Sequence, residues 1–460
     1  MPVTHPLTML PALALNHPVA LIEPYIPDQV LAIHKGRQIT QAEFLQELQQ
    51  VAAHLPDAGF VFNLCEDRYH FLLGFCAILL RGAVNLLPPN RQPVTLAELA
   101  QDYPGCYCLV DQAQDLHSQL PSTNIVAILA GITPAAAGPV PTIPAQQLAA
   151  VAFTSGSTGK SRPNAKCFGT LAATARLLGA RFSHNLPTPR LVGTVPPQHM
   201  YGLETTLFMV LQAGCAMYSG KPFYPADVQQ LLLHIAEPVI LVTTPIHLRA
   251  LVSAGLDMPG LAGIISATAP LDPVLATAAE HCFQAPLWEI YGCTEAGSMA
   301  TRRPTQTTHW QLLDGFHLEV DDEGALARAP HLPDAAPIQD QLSLVANDTF
   351  LLCGRNADMI NVAGKRASLA HLTLQLLQVE GVTDGVIFLP PHTGHAELRP
   401  VALVVSDLPE KHILAALALR LDAALLPRPL RKVAALPRNE TGKLTAAALH
   451  HLWEQTHARP

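Results

Sequence analysis

Thr154–Lys166 reads TSGSTGKSRPNAK, and how this stretch is read decides what fold surrounds it. Its first six residues are all Gly, Ser or Thr, followed by Lys160. Small residues let a backbone wrap closely around an anion, and hydroxyl and amide groups supply the donors. A phosphate ligand is therefore expected. The nearest general pattern is the P-loop, whose ending Gly159-Lys160-Ser161 matches. That pattern needs Gly five positions before Gly159, where Thr154 stands, and a helix opening after Ser161, where Arg162-Pro163-Asn164 follows. Proline there breaks the helix whose N-terminus would cradle phosphate. A P-loop kinase or NTPase is thus the weaker alternative, and a surface turn without ligand is the bland one.

The rest of the chain bounds the chemistry. Its 460 residues exceed what one core normally organises, so two or more domains are expected. Hydrophobic residues at 49% with 14% charged describe a globular chain rather than a disordered one, despite 41 prolines. A formal net charge of −8 repels nucleic acid and anionic membrane surfaces, so neither is an expected partner. The longest apolar run, Phe71–Leu80, is too short to cross a bilayer and reads as a buried helix. No transmembrane segment is expected. The N-terminal stretch lacks a basic n-region and is interrupted by prolines, which argues against a signal peptide and for the cytoplasm. Nine cysteines without a CxxC pair read as reduced, buried thiols.

Helix-like and strand-like segments alternate along the first part of the chain. DRYHFLLGFCAILLRGAVNLLPP, Asp67–Pro89, reads as a helix ended at Gly82 and a short strand stopped by two prolines. Ala130–Pro144, rich in Ala, Pro and Gly, reads as a loop or linker. EPVILVTTP, LAGIISATAPL and APLWEIYGCTEAG each end an apolar run in Gly, Ser, Thr or Pro, as strands do when they deliver loop residues to a cleft. From about Arg355 the texture changes to compact helices and strands, including SLAHLTLQLLQV, DGVIFLP, VALVVSD and KHILAALALRLDAALL. A C-terminal α+β domain of ordinary size fits this segment.

These motifs in order resemble the adenylate-forming ligase superfamily, which includes acyl-CoA synthetases, peptide adenylation domains and luciferase. FTSGSTGK resembles its phosphate loop, VPPQHMYGLETTL its substrate-side helix, SATAPL its adenine strand and EIYGCTEAG its Tyr-Gly-x-Thr-Glu loop. GRNADMINVAGKR resembles the interdomain hinge, and LPRNETGKL the C-terminal lysine loop. The resemblance implies a multidomain α/β plus α+β protein, with a large N-terminal domain over residues 1–354 and a small mobile C-terminal domain over 355–460.

It also implies roles. Thr154, Ser155, Gly156, Ser157, Thr158, Gly159 and Lys160 would cradle the ATP phosphates, and Lys166 could add charge there. Glu295, with Thr158, would hold Mg²⁺ as a hard oxygen ligand. Tyr291 and Gly292, with Thr268 and Ala269, would line the adenine site, and Thr294 would meet the α-phosphate. Asp340, 15 residues before Arg355, would bind ribose, although PIQDQLSL lacks the family's usual Thr-Gly before the Asp. His199 would line the acid pocket, together with Tyr201, Thr205 and Cys293. Lys443 would bridge the acid carboxylate and the phosphate oxygens, and Gly364 and Arg366 would face the pantetheine tunnel and phosphates.

The chain departs from the pattern at Ser161 and Arg162, where Pro and Lys are usual, at Ala357 beside Asp358, and in lacking Glu after Arg366. The remaining histidines, His392 and His395 among them, have no carboxylate or Cys partner at ligand spacing, so no further metal site is expected. The implied reaction is ATP-dependent activation of a fatty, hydroxy-fatty or aryl carboxylic acid, then transfer to the thiol of CoA or of an acyl carrier protein's phosphopantetheine. A non-catalytic nucleotide-binding partner subunit is the second alternative.

Overall fold

The computed structural model describes residues 17–112, 120–131, 138–155, 161–183, 185–321, 324–355, 359–362, 365–390, 399–439 and 442–457. Two large sheets organise the molecule. The first has six strands in the order 161–167, 148–155, 84–87, 60–63, 107–110, 122–124. Its strands are parallel except for the first pair, Leu148–Ser155 and Ser161–Cys167, which run antiparallel with Ser155 opposite Ser161. The phosphate-type loop therefore joins a hairpin. A P-loop instead connects a strand to a helix, so this topology removes the kinase or NTPase reading.

The second sheet has eleven strands. Its middle is parallel, in the order Leu287–Cys293, Gly263–Ser266, Val239–Thr243, Arg190–Gly193, Ala216–Tyr218, Val30–His34. Buried on both faces, these strands read as near-continuous Val, Ile and Leu, as parallel strands do. Antiparallel strands extend one edge: Gly297–Arg302, Trp310–Leu312, Thr349–Arg355 and Asp340–Ala346.

Helices fill the space between the sheets. Arg68–Leu80 is buried along nearly its whole length, as its unbroken apolar run predicts, and Asp67 caps it by accepting from the backbone N–H of Tyr69 and His70. Gly82, with φ of +73°, turns the chain into strand Val84–Leu87. Arg68, inside this core, donates to Thr206 Oγ1 at 2.6 Å and to the carbonyls of Gly193 and Val195 at 3.0 and 2.8 Å. It ties the helix to the end of a strand in the other sheet. Part of the stretch read as linker forms strand Thr142–Pro144, paired with Pro18–Ala20.

Beyond the second sheet, the hairpin Met359–Val362 and Lys365–Ser368 leads to a three-stranded sheet, Val382–Phe388, Val401–Ser406 and Leu430–Lys432. Helices Leu369–Leu377, Glu410–Ala418 and Ala446–His457 accompany it. Two apolar clusters here draw only on residues from Ile360 onward. The helix expected over KHILAALALRLDAALL is shorter, stopping at Ala418. Leu419 is 89% exposed, and the Asp422 side chain accepts from Ala424 N–H, which favours a turn over further helix. Among the described residues no helix is long and apolar enough to cross a membrane. All nine cysteines are free thiols, and six of them are buried.

Candidate active site

The parallel strands of the second sheet end on one side, and the residues named by the motifs follow those ends. In open α/β sheets this is where ligands bind. After Leu287–Cys293 comes the turn Thr294–Ala296 and the antiparallel return Gly297–Arg302. Gly292 packs so tightly against the Gly297 carbonyl that a Cβ there would overlap it. Glu295 lies exposed on this turn and Thr294 is half-buried. An exposed carboxylate beside a hydroxyl is the hard-oxygen donor set that suits Mg²⁺.

Two residues hold this turn from below. Lys166, 4% exposed, donates its Nζ to the Glu295 carbonyl at 2.6 Å. Glu204, 2% exposed, accepts from Ser298 N–H at 3.0 Å and from Ser298 Oγ at 2.5 Å, and its other oxygen abuts Gly297. Burial lowers the Lys166 ammonium's pKa, with the nearby Glu204 opposing that shift. Burial raises the Glu204 carboxyl, with Ser298 and Lys166 opposing it. The sequence reading offered Lys166 as charge for the phosphates; here its ammonium is engaged with the Glu295 turn.

The adenine and ribose candidates meet directly. Tyr291 Oη donates to Asp340 Oδ2 at 2.6 Å, and the Tyr291 ring packs at 5.5 Å against both Trp310 and Phe350. Asp340 stands opposite Arg355 across the antiparallel pair, which is why a separation of 15 residues through a tight hairpin brings them together. Thr268, after strand Gly263–Ser266, has φ of +84°. Such a backbone is strained for a β-branched residue, and strain of this kind gathers at ligand sites. Ala269 beside it is exposed.

A second wall comes from the helical segment Met200–Gln212, whose central residues Leu203–Phe208 form a π-helical turn, a form that often accompanies functional sites. His199 caps its start and is half-buried. Tyr201 Oη donates to the carbonyls of Thr243 and Ile265 at 3.0 and 2.8 Å, so it bridges two strand ends. Thr205 Oγ1 donates back to the Tyr201 carbonyl at 2.5 Å. Beside them His247 Nδ1 pairs with Thr194 Oγ1 at 2.9 Å, and Thr194 with Thr243 at 2.9 Å. Burial holds the His247 imidazole's pKa below its ordinary value, helped by Lys221. Cys293 is half-buried, and burial pushes its thiol up to about 11, so it is a neutral thiol.

The C-terminal lysine loop reaches this edge. Arg438 makes a paired contact to Asp384 at 2.8 and 2.7 Å and donates to the Gly442 carbonyl at 2.8 Å. Asn439 accepts from Lys443 N–H at 2.8 Å. Gly442, with φ of +76°, lies so close to Ile246 that a Cβ there would overlap it, with Thr244 nearby at the start of helix Pro245–Ser253. Lys443 is exposed beside it.

Of the remaining expected residues, Gly156, Ser157, Thr158, Gly159, Lys160, Ala357, Asp358, Gly364, His392 and His395 lie outside the described residues. Thr154 and Ser155 end strand Leu148–Ser155, and Arg366 sits opposite Asn361 in a hairpin. Glu204 and His247 were not singled out from sequence. His247 follows EPVILVTTP, already marked as a site wall, so its position was within reach.

Residues 25–317 match the family model described as AMP-binding enzyme. The chain belongs to the AMP-binding enzyme family. It is 30% identical over 300 residues to a 4-coumarate–CoA ligase of Rhodobacter capsulatus, an alignment covering 64% of this chain and 74% of the relative. A 4-chlorobenzoate–CoA ligase of Arthrobacter is 24% identical over an alignment of 504 positions, covering 94% of this chain and 91% of that one. Among solved structures, an anthranilate CoA ligase in complex with anthranoyl-AMP superposes with a TM-score of 0.79 at 17% identity, covering 95% of both chains. The o-succinylbenzoate coenzyme A synthetase of Bacillus subtilis in complex with ATP and magnesium ion gives 0.77 at 17% identity, over 91% of this chain and 96% of that one. The mixed α/β architecture of this AMP-binding protein is thus that of the adenylate-forming enzymes.

Proposed function

We propose that the protein joins an aromatic carboxylic acid to a pantetheine thiol in two steps at this strand edge. In the first, a carboxylate oxygen attacks the α-phosphorus of ATP, the bond to the β-phosphate breaks, and acyl-adenylate and pyrophosphate form. In the second, the thiol sulfur attacks the acyl carbon, AMP leaves, and the thiol proton passes to solvent. Two anions must meet in the first step, so positive charge at the reacting oxygens is the main requirement.

The observation that carries this reading is the seating of the Gly442–Lys443 loop against Thr244–Ile246, next to the strand ends that Tyr201 bridges. It sets a long, exposed cation at the edge of the cleft, where Lys443 would neutralise the carboxylate and α-phosphate oxygens. Tyr291 and Asp340 would hold adenine and ribose, with Thr268, Ala269 and Gly292 beside them, and Thr294 would meet the α-phosphate. Thr154–Lys160 would bind the outer phosphates. Glu295, with Thr158, would hold Mg²⁺, which neutralises phosphate charge when bound. His199, Tyr201 and Thr205 would line the acid pocket. An aromatic acid is favoured by the substrates that the relatives' names carry, 4-coumarate and 4-chlorobenzoate. For the second step the domain 355–460 would rotate about Arg355 and bring Gly364 and Arg366 to the cleft.

The test is product analysis with a panel of benzoate, cinnamate, medium-chain and 3-hydroxy acids, with CoA and with a phosphopantetheinylated carrier protein offered separately. AMP and pyrophosphate released with aryl acids support the reading, and the productive thiol names the acceptor. ADP as product, or turnover with no acid added, would overturn it.

A further inference from the structure

Four titratable side chains meet where the two large sheets approach each other. His34 ends strand Val30–His34, Asp67 caps helix Arg68–Leu80, His70 lies in that helix's first turn, and Asp111 follows strand Tyr107–Val110. One nitrogen from each imidazole and one Asp67 oxygen all lie within 4.8 Å of one another. His34 Nδ1 is 3.3 Å from Asp67 Oδ1 and 3.2 Å from Ser219 Oγ. His70 Nδ1 is 3.2 Å from Asp111 Oδ2, and the two imidazole centroids are 4.8 Å apart.

Asp111 is itself held by the backbone N–H groups of Glu66 and Asp67, at 2.9 and 2.8 Å. The His70 and Asp111 side chains are 5% and 4% exposed, whereas His34 and Asp67 are 14% and 19% exposed, so the cluster is recessed yet open to solvent on one side. Burial works to raise both carboxyls, but the neighbouring imidazoles and N–H donors hold them below the ordinary carboxylate range.

We propose that His34, Asp67 and His70 bind one divalent transition-metal ion of the zinc class, with Asp111 orienting His70. Two imidazoles and one carboxylate suit zinc, cobalt, nickel or iron, while calcium and magnesium prefer oxygen alone. Bonds of about 2.0–2.1 Å in a tetrahedral shell place neighbouring ligand atoms about 3.4 Å apart, so an ion would draw together three atoms that here lie within 4.8 Å of one another. A carboxylate on the far nitrogen of a ligating imidazole fixes its tautomer and raises its basicity, and with Asp111 on Nδ1, His70 would ligate through Nε2. Along the second sheet, the end of Val30–His34 is five strand spacings, about 24 Å, from the end of Leu287–Cys293, so this site is separate from the Glu295 turn.

The ion would clip the end of strand Val30–His34 in one sheet to the helix and strand ends of the other. The sequence reading expects no such site, and the proposal departs from it on the grouping of these side chains. Asp67 and His70 share one helix face three residues apart, and His34 reaches them only through the packing of the two sheets.

The test uses full-length, chelator-stripped protein without nucleotide, titrated calorimetrically with ZnCl₂ and, separately, followed by visible absorption with CoCl₂. The wild type should bind one zinc equivalent that His34→Gln and His70→Gln lose or bind at least about 100-fold more weakly. Asp111→Asn should keep the stoichiometry and weaken binding about 10–100-fold. Zinc should raise the Tm of the wild type and leave that of His34→Gln unmoved. Should the variants not fold, the wild-type cobalt spectrum decides: bands of a nitrogen-ligated, low-coordinate ion support the site, and a spectrum of the hydrated ion overturns it. Equal zinc stoichiometry, affinity and Tm response in wild type and His34→Gln would likewise overturn it, leaving a hydrogen-bonded network without an ion.

Discussion

Replacing Lys166 with Met removes a buried charge from beneath the Thr294–Ser298 turn and strips Glu204 of its counter-charge. Methionine preserves most of the stem volume, so the loss is chiefly electrostatic. Lys166 and Glu204 are 4% and 2% exposed, and each grips the same turn, one through the Glu295 carbonyl and the other through Ser298. Among the described residues no ion pair joins Lys166 and Glu204, which act on each other only through the field, so the cost stays below about 3–5 kcal/mol, that of breaking a buried salt bridge. The Glu295 carbonyl also loses a charge-assisted bond, which is about 1.5–3 kcal/mol of that total. Glu204→Gln leaves Lys166 uncompensated but still accepts from Ser298, so its cost should fall at the lower end. In the double variant neither charge remains, and its cost should be smaller than the sum of the singles by about 1–3 kcal/mol. Urea unfolding of the four proteins at neutral pH measures this coupling. Single costs that add to within about 0.5 kcal/mol would refute the claim that the two charges sense each other.

Three further outcomes follow from the same geometry. Gly292→Ala should drive the Gly297 strand away and disturb the Glu295 turn, lowering acid-dependent pyrophosphate exchange by at least about 10-fold, read by exchange at saturating ATP. Gly442→Ala, at φ of +76° and against Ile246, should reduce exchange while the unfolding midpoint of the N-terminal region stays within about 0.5 kcal/mol of wild type, followed by Trp fluorescence and by exchange on one preparation. His331 is 6% exposed, and burial depresses its pKa from 6.5 to about 4. A depressed folded-state value gives stability that is complete above pH 6.5 and lost as pH falls towards 4, about 3 kcal/mol in all. Urea midpoints between pH 7 and 4 should show this acid limb, and His331→Leu should flatten it.

Local chemistry made part of this architecture legible. Pro163 excluded a helix after the phosphate loop, and the hairpin confirms the physical point: a chain that cannot open a helix there returns as a strand. The apolar run Phe71–Leu80 read as buried because no polar face interrupts it, and it is buried. The 15-residue separation of Asp340 and Arg355 reads in sequence only as a match to the family's spacing; the tight hairpin that sets them opposite each other comes from the structure. The Lys166–Glu204 support was not legible either. Each residue looks like an ordinary surface charge in its own segment, and only the packing of strand Ser161–Cys167 and of the Met200–Gln212 helix against the Thr294–Ser298 turn brings both to the same place. His34, Asp67 and His70 escaped notice in the same way, since the contact depends on how two sheets meet. The early stop at Ala418 reflects local competition by Asp422, which leucine periodicity alone does not reveal.

The central claim is that Lys443 serves adenylation at the Thr244–Ile246 edge, and it is tested most directly by exchange of labelled pyrophosphate into ATP with an aromatic acid. Wild type should exchange only when the acid is present. Lys443→Ala should lose about 10² or more of that rate, while still converting preformed acyl-adenylate to thioester. Exchange retained at the wild-type rate in Lys443→Ala, or exchange independent of acid in the wild type, would contradict the account.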